Sequence, residues 1–252
     1  MAKAAAAGHR VVLVAATRGE LGEPVPGVLD EGEELWQRRV IETHRSAEVL
    51  GADRVEFLGY EDSGMMGEPT NDNEACFWRA DIDEAAERLA AILRDVDADV
   101  LTIYDDHGNY GHPDHIQVHR VGKRAAELAG VTGIFEATMN RDAIKRMMEQ
   151  AQQEGTAEDT FGEDADEIRQ DMEGELGEPE ENLTHAIDVT EFVGQKRQSM
   201  VAHASQISDD SFFMKMPEEV FAAAFGTEWY IEHGHKRLPG APFGDDLFAG
   251  RD

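Results

Sequence analysis

The sequence predicts an α/β protein whose strands form a Rossmann-like, doubly wound and mainly parallel sheet. Short apolar runs alternate along the chain with longer segments of helical pattern, which is how such a sheet is encoded. A polar, glycine-broken segment directly follows the third run, where open α/β sheets place their ligands. The four runs predicted as strands are His9–Ala16, Arg54–Leu58, Asp99–Ile103 and Ile134–Thr138.

The segments between these runs carry helix signals. Asp81–Asp95 repeats apolar side chains every three or four residues, which predicts an amphipathic helix. Pro113 suits the first position of a helix that runs to about Leu128, because its missing N–H costs nothing there. Further helices are predicted over Glu33–Leu50, Arg141–Gln152, Glu191–Ala204 and Pro217–Phe225, and further strands over Thr184–Val189 and Glu228–Glu232.

One stretch interrupts the alternation. Residues 154–181 hold thirteen acidic side chains against the single basic Arg169. We expect an acidic insertion or a solvated surface helix there, because runs of like charge are usually solvent-facing. The rest of the chain shows no boundary, so residues 1–252 are predicted to form a single domain.

Composition limits the classes of function. A formal net charge of -30 argues against a nucleic-acid partner and is interpreted as solubility or adaptation to a salty cytoplasm. No apolar run reaches the roughly 18 residues of a membrane span, and the N-terminus is too weakly apolar for a signal peptide. Cys76 is the single cysteine, which excludes an internal disulfide and fits a reducing compartment. We therefore expect a cytoplasmic protein without a membrane or nucleic-acid partner.

The chemistry concentrates in Tyr104–His119, which reads YDDHGNYGHPDHIQVH and holds four histidines, three aspartates and two tyrosines. His112, Asp114 and His115 fall on the first turn of the helix that Pro113 begins. A histidine beside an aspartate can be held in one tautomer, and a second histidine there can bind a metal, usually zinc. The alternative is that these are helix-capping and surface residues.

Five segments resemble the PIG-L/LmbE-like zinc-dependent N-deacetylases, which include mycothiol-pathway deacetylases and amidases. The resemblance implies a zinc-dependent hydrolase that removes an N-acyl group from a glucosamine-containing conjugate, so a small sugar conjugate is the expected partner. It also makes the predicted domain deacetylase-like. The matching segments are TRGELGE, RVIETHRSAEVLG, FLGYEDSGMMG, YDDHGNYGHPDHIQVH and KRQSMVAHASQ.

The resemblance implies a role for each matching residue of the central segment. His115 corresponds to a zinc-binding histidine. His112 corresponds to the histidine that stabilises the tetrahedral oxyanion and protonates the leaving amine, and Asp114 would tune it. Tyr110 matches a mobile tyrosine that contacts the acyl oxygen of the substrate.

Three residues outside that segment match positions that bind the sugar or its aglycone: Glu23, Arg39 and Asp62. Without the resemblance, Arg39 on a helix would be read as a surface charge. Asp62, in the sequence DSG, would be read as a turn former. Glu23 by itself indicates nothing. In the late segment, His203 and Gln206 are candidates for closing the pocket.

The family's zinc site also uses an HPDDE-type motif after the first strand, which supplies two ligands and the general base. The first residues, MAKAAAAGHR, instead resemble the helix that follows that motif. We therefore expect the sheet to lack its first strand, and Met1 to be an internal methionine with roughly 20–30 residues upstream. The chain as it stands is then expected to be poorly active or inactive, because a catalytic zinc needs about three protein ligands.

The sequence leaves one alternative open and disfavours another. The chain could be a non-catalytic relative that binds a sugar or a protein partner without metal. A nucleophile-dependent α/β hydrolase is disfavoured, because no GxSxG segment is present and Cys76 has no recognisable surroundings. The sequence leaves open which conjugate is cut, whether the bond is an acetamide or a larger amide, and whether the protein forms a homo-oligomer.

Overall fold

The computed structural model describes residues 1–155 and 176–251. Most of the predicted acidic insertion, residues 156–175, lies outside the described residues. The chain divides into two compact units, each made of two segments. Unit 1 comprises Met1–Arg79 and Val189–Gly226, and unit 2 comprises Ala80–Asp188 and Thr227–Asp252.

Unit 1 begins with a short helix, α1 (Ala2–Ala6), and a parallel two-stranded sheet. Strand β1 (Val12–Ala15) pairs in register with β2 (Arg54–Phe57), from Val12 opposite Arg54 onward. Helix α2 (Leu35–Val49) connects the two strands, as a parallel crossover requires. Two short 3-10 turns follow β2, at Pro69–Asp72 and Phe77–Arg79.

The second segment of unit 1 is helical. A 3-10 turn at Thr190–Phe192 leads into α7 (Val193–Val201). Helices α8 (Phe212–Lys215) and α9 (Glu218–Phe225) complete it. Helix α7 packs on α2. The core of this unit is small, and its fully enclosed apolar side chains are Ala47, Cys76, Phe77 and Phe221.

Unit 2 contains a four-stranded sheet in the order β3-β4-β6-β5. Strand β3 pairs parallel with β4, whereas β6 runs antiparallel to both β4 and β5. The strands span Val100–Tyr104 (β3), Gly133–Thr138 (β4), His185–Asp188 (β5) and Thr227–Glu232 (β6).

Local contacts and a glycine mark the ends of helices in unit 2. Helix α3 (Ile82–Val96) starts after Asp81, whose carboxylate accepts from the backbone N–H of Glu84 at 3.0 Å, a standard N-cap. An irregular turn, α4 (Gly108–Gly111), precedes α5 (Pro113–Ala129), and α5 packs along α3. Helix α6 (Arg141–Glu154) ends at Gly155, which adopts the left-handed conformation that favours glycine.

The predicted α/β class is confirmed, and the helices and strands begin within a few residues of their predicted positions. The described strands nevertheless lie in two sheets, and two of their four pairings are antiparallel. In one antiparallel pairing, Asp188 at the end of β5 lies opposite Thr227 at the start of β6. The two strands therefore form a hairpin whose connection is the Val189–Gly226 segment. The single-domain prediction stays a prediction.

No helix of the described residues is both long and apolar enough to cross a lipid bilayer.

Candidate active site

The loop after β3 is shaped by residues with positive φ. Gly108 and Asn109 have φ values of 68° and 69°, and Gly111 follows at 85°. A Cβ on Gly108 would lie 2.8 Å from the backbone nitrogen of Ile116 and 2.9 Å from Cβ of His115. The loop can therefore lie against the first turn of α5 only because residue 108 is glycine.

His112 caps α5 with its own ring. Its Nδ1 accepts a hydrogen bond from the backbone N–H of Asp114 at 3.1 Å. An imidazole nitrogen accepts only when it carries no proton, so this hydrogen bond fits the neutral ring with its proton on Nε2. The ring thus has Nδ1 committed to the first turn of the helix.

His115 is held so that one ring nitrogen is committed to the backbone. Its Nδ1 lies 3.2 Å from the carbonyl oxygen of Gly108, to which it donates when protonated there. Its ring stacks on Tyr104, with centroids 3.9 Å apart and planes 8° from parallel. Metal-binding histidines show this arrangement, because a backbone contact at one nitrogen fixes the tautomer and turns the other to the metal. His115 therefore fits the role of one zinc ligand through Nε2.

The predicted residues of this loop come together. The rings of His112 and His115 are 4.8 Å apart, and Tyr110 meets His115 edge-on at 5.2 Å. Tyr110 is 55% exposed. Asp114 is buried, and one of its carboxylate oxygens lies within 4.8 Å of a ring nitrogen of His112.

The ring of Tyr104 stacks on one face of His115. Burial, reinforced by the charge of the Tyr110 phenolate, raises the pKa of Tyr104. The phenol therefore stays protonated and uncharged at neutral pH, as suits a ring that only stacks on His115. His119 is buried with Nδ1 3.0 Å from the carbonyl oxygen of Tyr104.

In unit 1, Arg39 is positioned by a residue far along the chain. Its Nη1 donates to Oε1 of Gln206 at 3.1 Å. A Cβ on Gly19 would lie 2.5 Å from Nη1, so the guanidinium packs directly on this glycine. Arg39 is thus a fixed group and not the mobile surface charge that its helix position alone would suggest.

Asp62 performs two tasks in unit 1. Its Oδ1 accepts from the backbone N–H of Gly64 at 2.9 Å, which is the turn predicted for DSG. Its Oδ2 accepts from Leu21 at 3.3 Å, and its own N–H donates to Glu20 at 3.2 Å. Asp62 therefore ties two loops together. Glu23 lies exposed in the first of these loops.

The sequence did not single out Glu42 and Ser205. Glu42 is 1% exposed, and its carboxylate accepts from both the backbone N–H and the hydroxyl of Ser205, at 2.8 and 2.6 Å. This pair fixes the KRQSMVAHASQ segment on α2. The only signal in the sequence is that Glu42 follows Arg39 by one helical turn and therefore shares its face.

His203 belongs to the same surroundings. Burial lowers its pKa, and the charge of Arg39 lowers it further, while Glu42 opposes both. The ring is therefore neutral at neutral pH. Its candidacy, like the roles of the other predicted residues, stays a prediction.

Known proteins show similarity over the whole chain. The sequence model described as PIG-L: GlcNAc-PI de-N-acetylase matches residues 1–126. A relative from Acidothermus cellulolyticus, named 1D-myo-inositol 2-acetamido-2-deoxy-alpha-D-glucopyranoside deacetylase, is 39% identical over 100% of this chain and 89% of its own length. A relative of the same name from Salinispora arenicola is 38% identical over 99% of this chain and 85% of its own.

Among solved structures, the A40926 pseudoaglycone deacetylase Dbv21 shares the fold. The two align with a TM-score of 0.54 at 18% identity, over 93% of this chain and 90% of that chain. The family that the five motifs indicated is thereby confirmed: this chain belongs to the PIG-L family of de-N-acetylases.

Proposed function

We propose that this protein is a zinc-dependent hydrolase that removes the N-acetyl group from an N-acetylglucosamine conjugate. The observation that carries the proposal is the paired orientation of His112 and His115. Each ring has one nitrogen held by the backbone, and the two rings lie 4.8 Å apart at the start of α5, after the loop that follows β3. Relatives over the full chain are named as deacetylases of a glucosamine–inositol conjugate, which makes that conjugate the first substrate to test.

His115 would hold the metal through Nε2 as one of the roughly three protein ligands that a catalytic zinc needs, of which the family's HPDDE-type motif would supply two. A bound zinc ion supplies a Lewis acid and lowers the pKa of a bound water. Stacking on Tyr104 and the contact with Gly108 would keep the imidazole in place.

His112 would act on the oxygen and nitrogen of the amide. Hydrolysis forms a C–O bond, breaks the C–N bond, and places one proton on the leaving amine. In the doubly protonated form, His112 would donate a hydrogen bond to the developing oxyanion and then pass one proton to the leaving amine, which returns the ring to the neutral form that the contact with the N–H of Asp114 fits. The buried carboxylate of Asp114 would stabilise the charge on the ring during that transfer.

Substrate positioning is assigned to the remaining predicted residues. Tyr110, exposed at the rim of its loop, would contact the acyl oxygen. Arg39 and Asp62, held by Gln206 and by the loop of Leu21, would bind hydroxyl groups of the sugar or its aglycone. Glu23 would do the same from its exposed position.

The test measures release of free amine and acetate from the glucosamine–inositol conjugate, together with zinc content. The variant His115→Ala is expected to lose zinc from this site and to lose activity. His112→Ala is expected to keep zinc and to lose about 10²–10³-fold in kcat, as for removal of one oxyanion donor. His44→Ala, which removes an exposed histidine of unit 1, is the control and should change neither quantity.

Retained turnover in His115→Ala at unchanged zinc content would refute the assignment. Tight binding of the conjugate without turnover, in a zinc-free wild-type protein and in His115→Ala alike, would favour the non-catalytic alternative.

A further inference from the structure

A second group of potential metal ligands lies in unit 2. Asp105, Asp106 and His107 directly follow β3, and Glu178 lies beside the residues that follow β4. The backbone of Glu178 bonds to Met139 and Arg141, at 2.8 and 2.9 Å. Because β3 and β4 are parallel neighbours, their carboxyl ends bring the two segments together. We call Asp105, Asp106, His107 and Glu178 the carboxylate–His107 cluster.

We propose that the carboxylate–His107 cluster binds a divalent transition-metal ion, with Zn²⁺ or Mn²⁺ as the fitting ions. This site is separate in its residues from the His112–His115 group and does not rest on the proposed deacetylase activity.

The distances within the cluster suit a metal ion. Nε2 of His107 lies 3.4 Å from Oδ2 of Asp105 and 3.5 Å from Oε1 of Glu178. Asp106, His107 and Glu178 can each offer one ligand atom within 4.8 Å of the others. Bonds of about 2.0–2.1 Å in a tetrahedral site place neighbouring ligand atoms about 3.4 Å apart.

A buried carboxylate oxygen that accepts no hydrogen bond suits a position beside a cation. Asp105 is 1% exposed, yet within the described ranges its Oδ2 accepts no hydrogen bond. Both ring nitrogens of His107 are likewise buried without a hydrogen bond there. Burying polar groups in this way is costly unless something compensates them, and a cation shared by Oδ2 and Nε2 would do so.

Neighbouring groups aim the carboxylates at this point. Asp105 uses its other oxygen, Oδ1, to accept from the backbone N–H of Asn109 at 2.6 Å. Glu178 uses Oε2 to accept from the side-chain amide of Asn182 at 2.6 Å. Each contact leaves the second oxygen directed toward His107, in the way that neighbouring hydrogen bonds orient metal ligands.

A cavity lined by three members of the cluster, but not by His107, has an acidic wall that favours a cation. It has a volume of about 290 Å³, and its walls include Asp105, Asp106 and Glu178 together with Glu136 and Glu181. Lys236 and Arg237 also line it. The Arg237 guanidinium, however, donates to the carbonyl oxygens of Leu183, Glu180 and Ala241, so its hydrogen-bonding capacity is directed at backbone.

The donor set selects the type of ion. Oxygen-only sites suit Ca²⁺ and Mg²⁺, whereas an imidazole nitrogen shifts the preference toward first-row transition metals. One imidazole with two or three carboxylates is a mixed set that fits Zn²⁺ and Mn²⁺. A bound ion would join the loop after β3 to Glu178.

The experiment is equilibrium dialysis of the full chain against Zn²⁺ or Mn²⁺, with bound metal quantified by mass spectrometry. We expect His115→Ala to retain one equivalent of metal. Adding Glu178→Gln or Asp106→Asn to that variant should weaken its binding by about ten-fold or more, since each change removes a ligand charge while keeping the shape. Glu181→Gln, in the same cavity but outside the cluster, is the matched control and should leave the affinity unchanged.

Heating the same proteins gives a second measurement. Mn²⁺ should raise the midpoint of thermal unfolding of His115→Ala, and Glu178→Gln should remove that rise without lowering the midpoint of the metal-free protein. The proposal is overturned if His115→Ala binds no metal, if Glu178→Gln and Asp106→Asn bind as tightly as their parent, or if equimolar Ca²⁺ displaces Mn²⁺. Activity is not a readout, so loss of the deacetylase assignment would leave this test intact.

Discussion

The predicted site residues of the two units are held in different ways. In unit 2, His112 and His115 are oriented by backbone atoms at most seven residues away in sequence. In unit 1, Arg39 is held by Gln206, and Glu42 by Ser205, across 167 and 163 residues. The histidines are therefore positioned by one loop and its helix, whereas Arg39 depends on packing between distant segments. A change in the loop should therefore lower kcat. A change in the distant contacts should lower the free energy of unfolding and raise KM.

The largest expected effect comes from Gly108→Ala. The added Cβ would meet the backbone of Ile116 and Cβ of His115 at under 3.0 Å, in a conformation that already favours glycine. The loop must move by a few tenths of an ångström or more, and displacement of a catalytic group can cost about 10²-fold in rate. We expect kcat for amide hydrolysis to fall by that order, with KM changed less.

Gly130→Ala is the control for this change. Gly130 ends α5 at a φ of 78° with open space around its Cβ position, so only the backbone strain of about 1–2 kcal/mol is added. Its kcat should stay near that of the wild type. Equal loss of kcat in the two variants would mean that general destabilisation, and not the shape of the loop, governs catalysis.

A smaller effect is expected from Ser205→Ala. The substitution removes the 2.6 Å hydrogen bond to the buried carboxylate of Glu42 while leaving the backbone N–H in place. Hydrogen bonds to charged groups contribute about 1.5–3 kcal/mol, so the free energy of unfolding in urea should fall by that amount. Because the segment also carries Gln206, KM should rise while kcat is largely kept.

Ser208→Ala, three residues further on, is the comparison for Ser205→Ala and should lower the free energy of unfolding by less. A fall in kcat at unchanged KM for Ser205→Ala would contradict the expectation that these distant contacts act on substrate binding and stability.

The smallest expected effect is a pH dependence from His203. Its pKa is lowered in the folded state by burial and then by Arg39, so the unfolded chain takes up the proton first as the pH falls. The stabilisation from the neutral ring is complete above the unfolded pKa of about 6.5 and is lost as the pH falls through the lower, folded pKa. Replacing His203 by Gln should make the midpoint of urea unfolding less dependent on pH between pH 7 and 5.

His44→Gln is the control for His203, since His44 is an exposed histidine of the same unit. If it flattens the pH profile as much as His203→Gln does, burial beside Arg39 is not the cause.

Local signals predicted much of the structure correctly. Pro113 starts α5, and Asp62 makes the turn expected of DSG, because both effects act within a few residues. The antiparallel β6 was not predicted, since strand direction depends on which edge of a sheet the chain returns to. The contact between His107 and Glu178 was not predicted for a similar reason, because Glu178 follows the whole of β4 and α6 in the chain.

The sequence by itself determined the α/β class, the family, and the loop that carries His112 and His115. Apolar runs and helix caps encode the class, and the loop's geometry comes from glycines and backbone contacts inside the same short segment. Only the tertiary structure decided that Gln206 holds Arg39, that Ser205 binds Glu42, and that Asp105 and Glu178 converge on His107. Those contacts depend on how distant segments pack and pair, and no local pattern of residues specifies that.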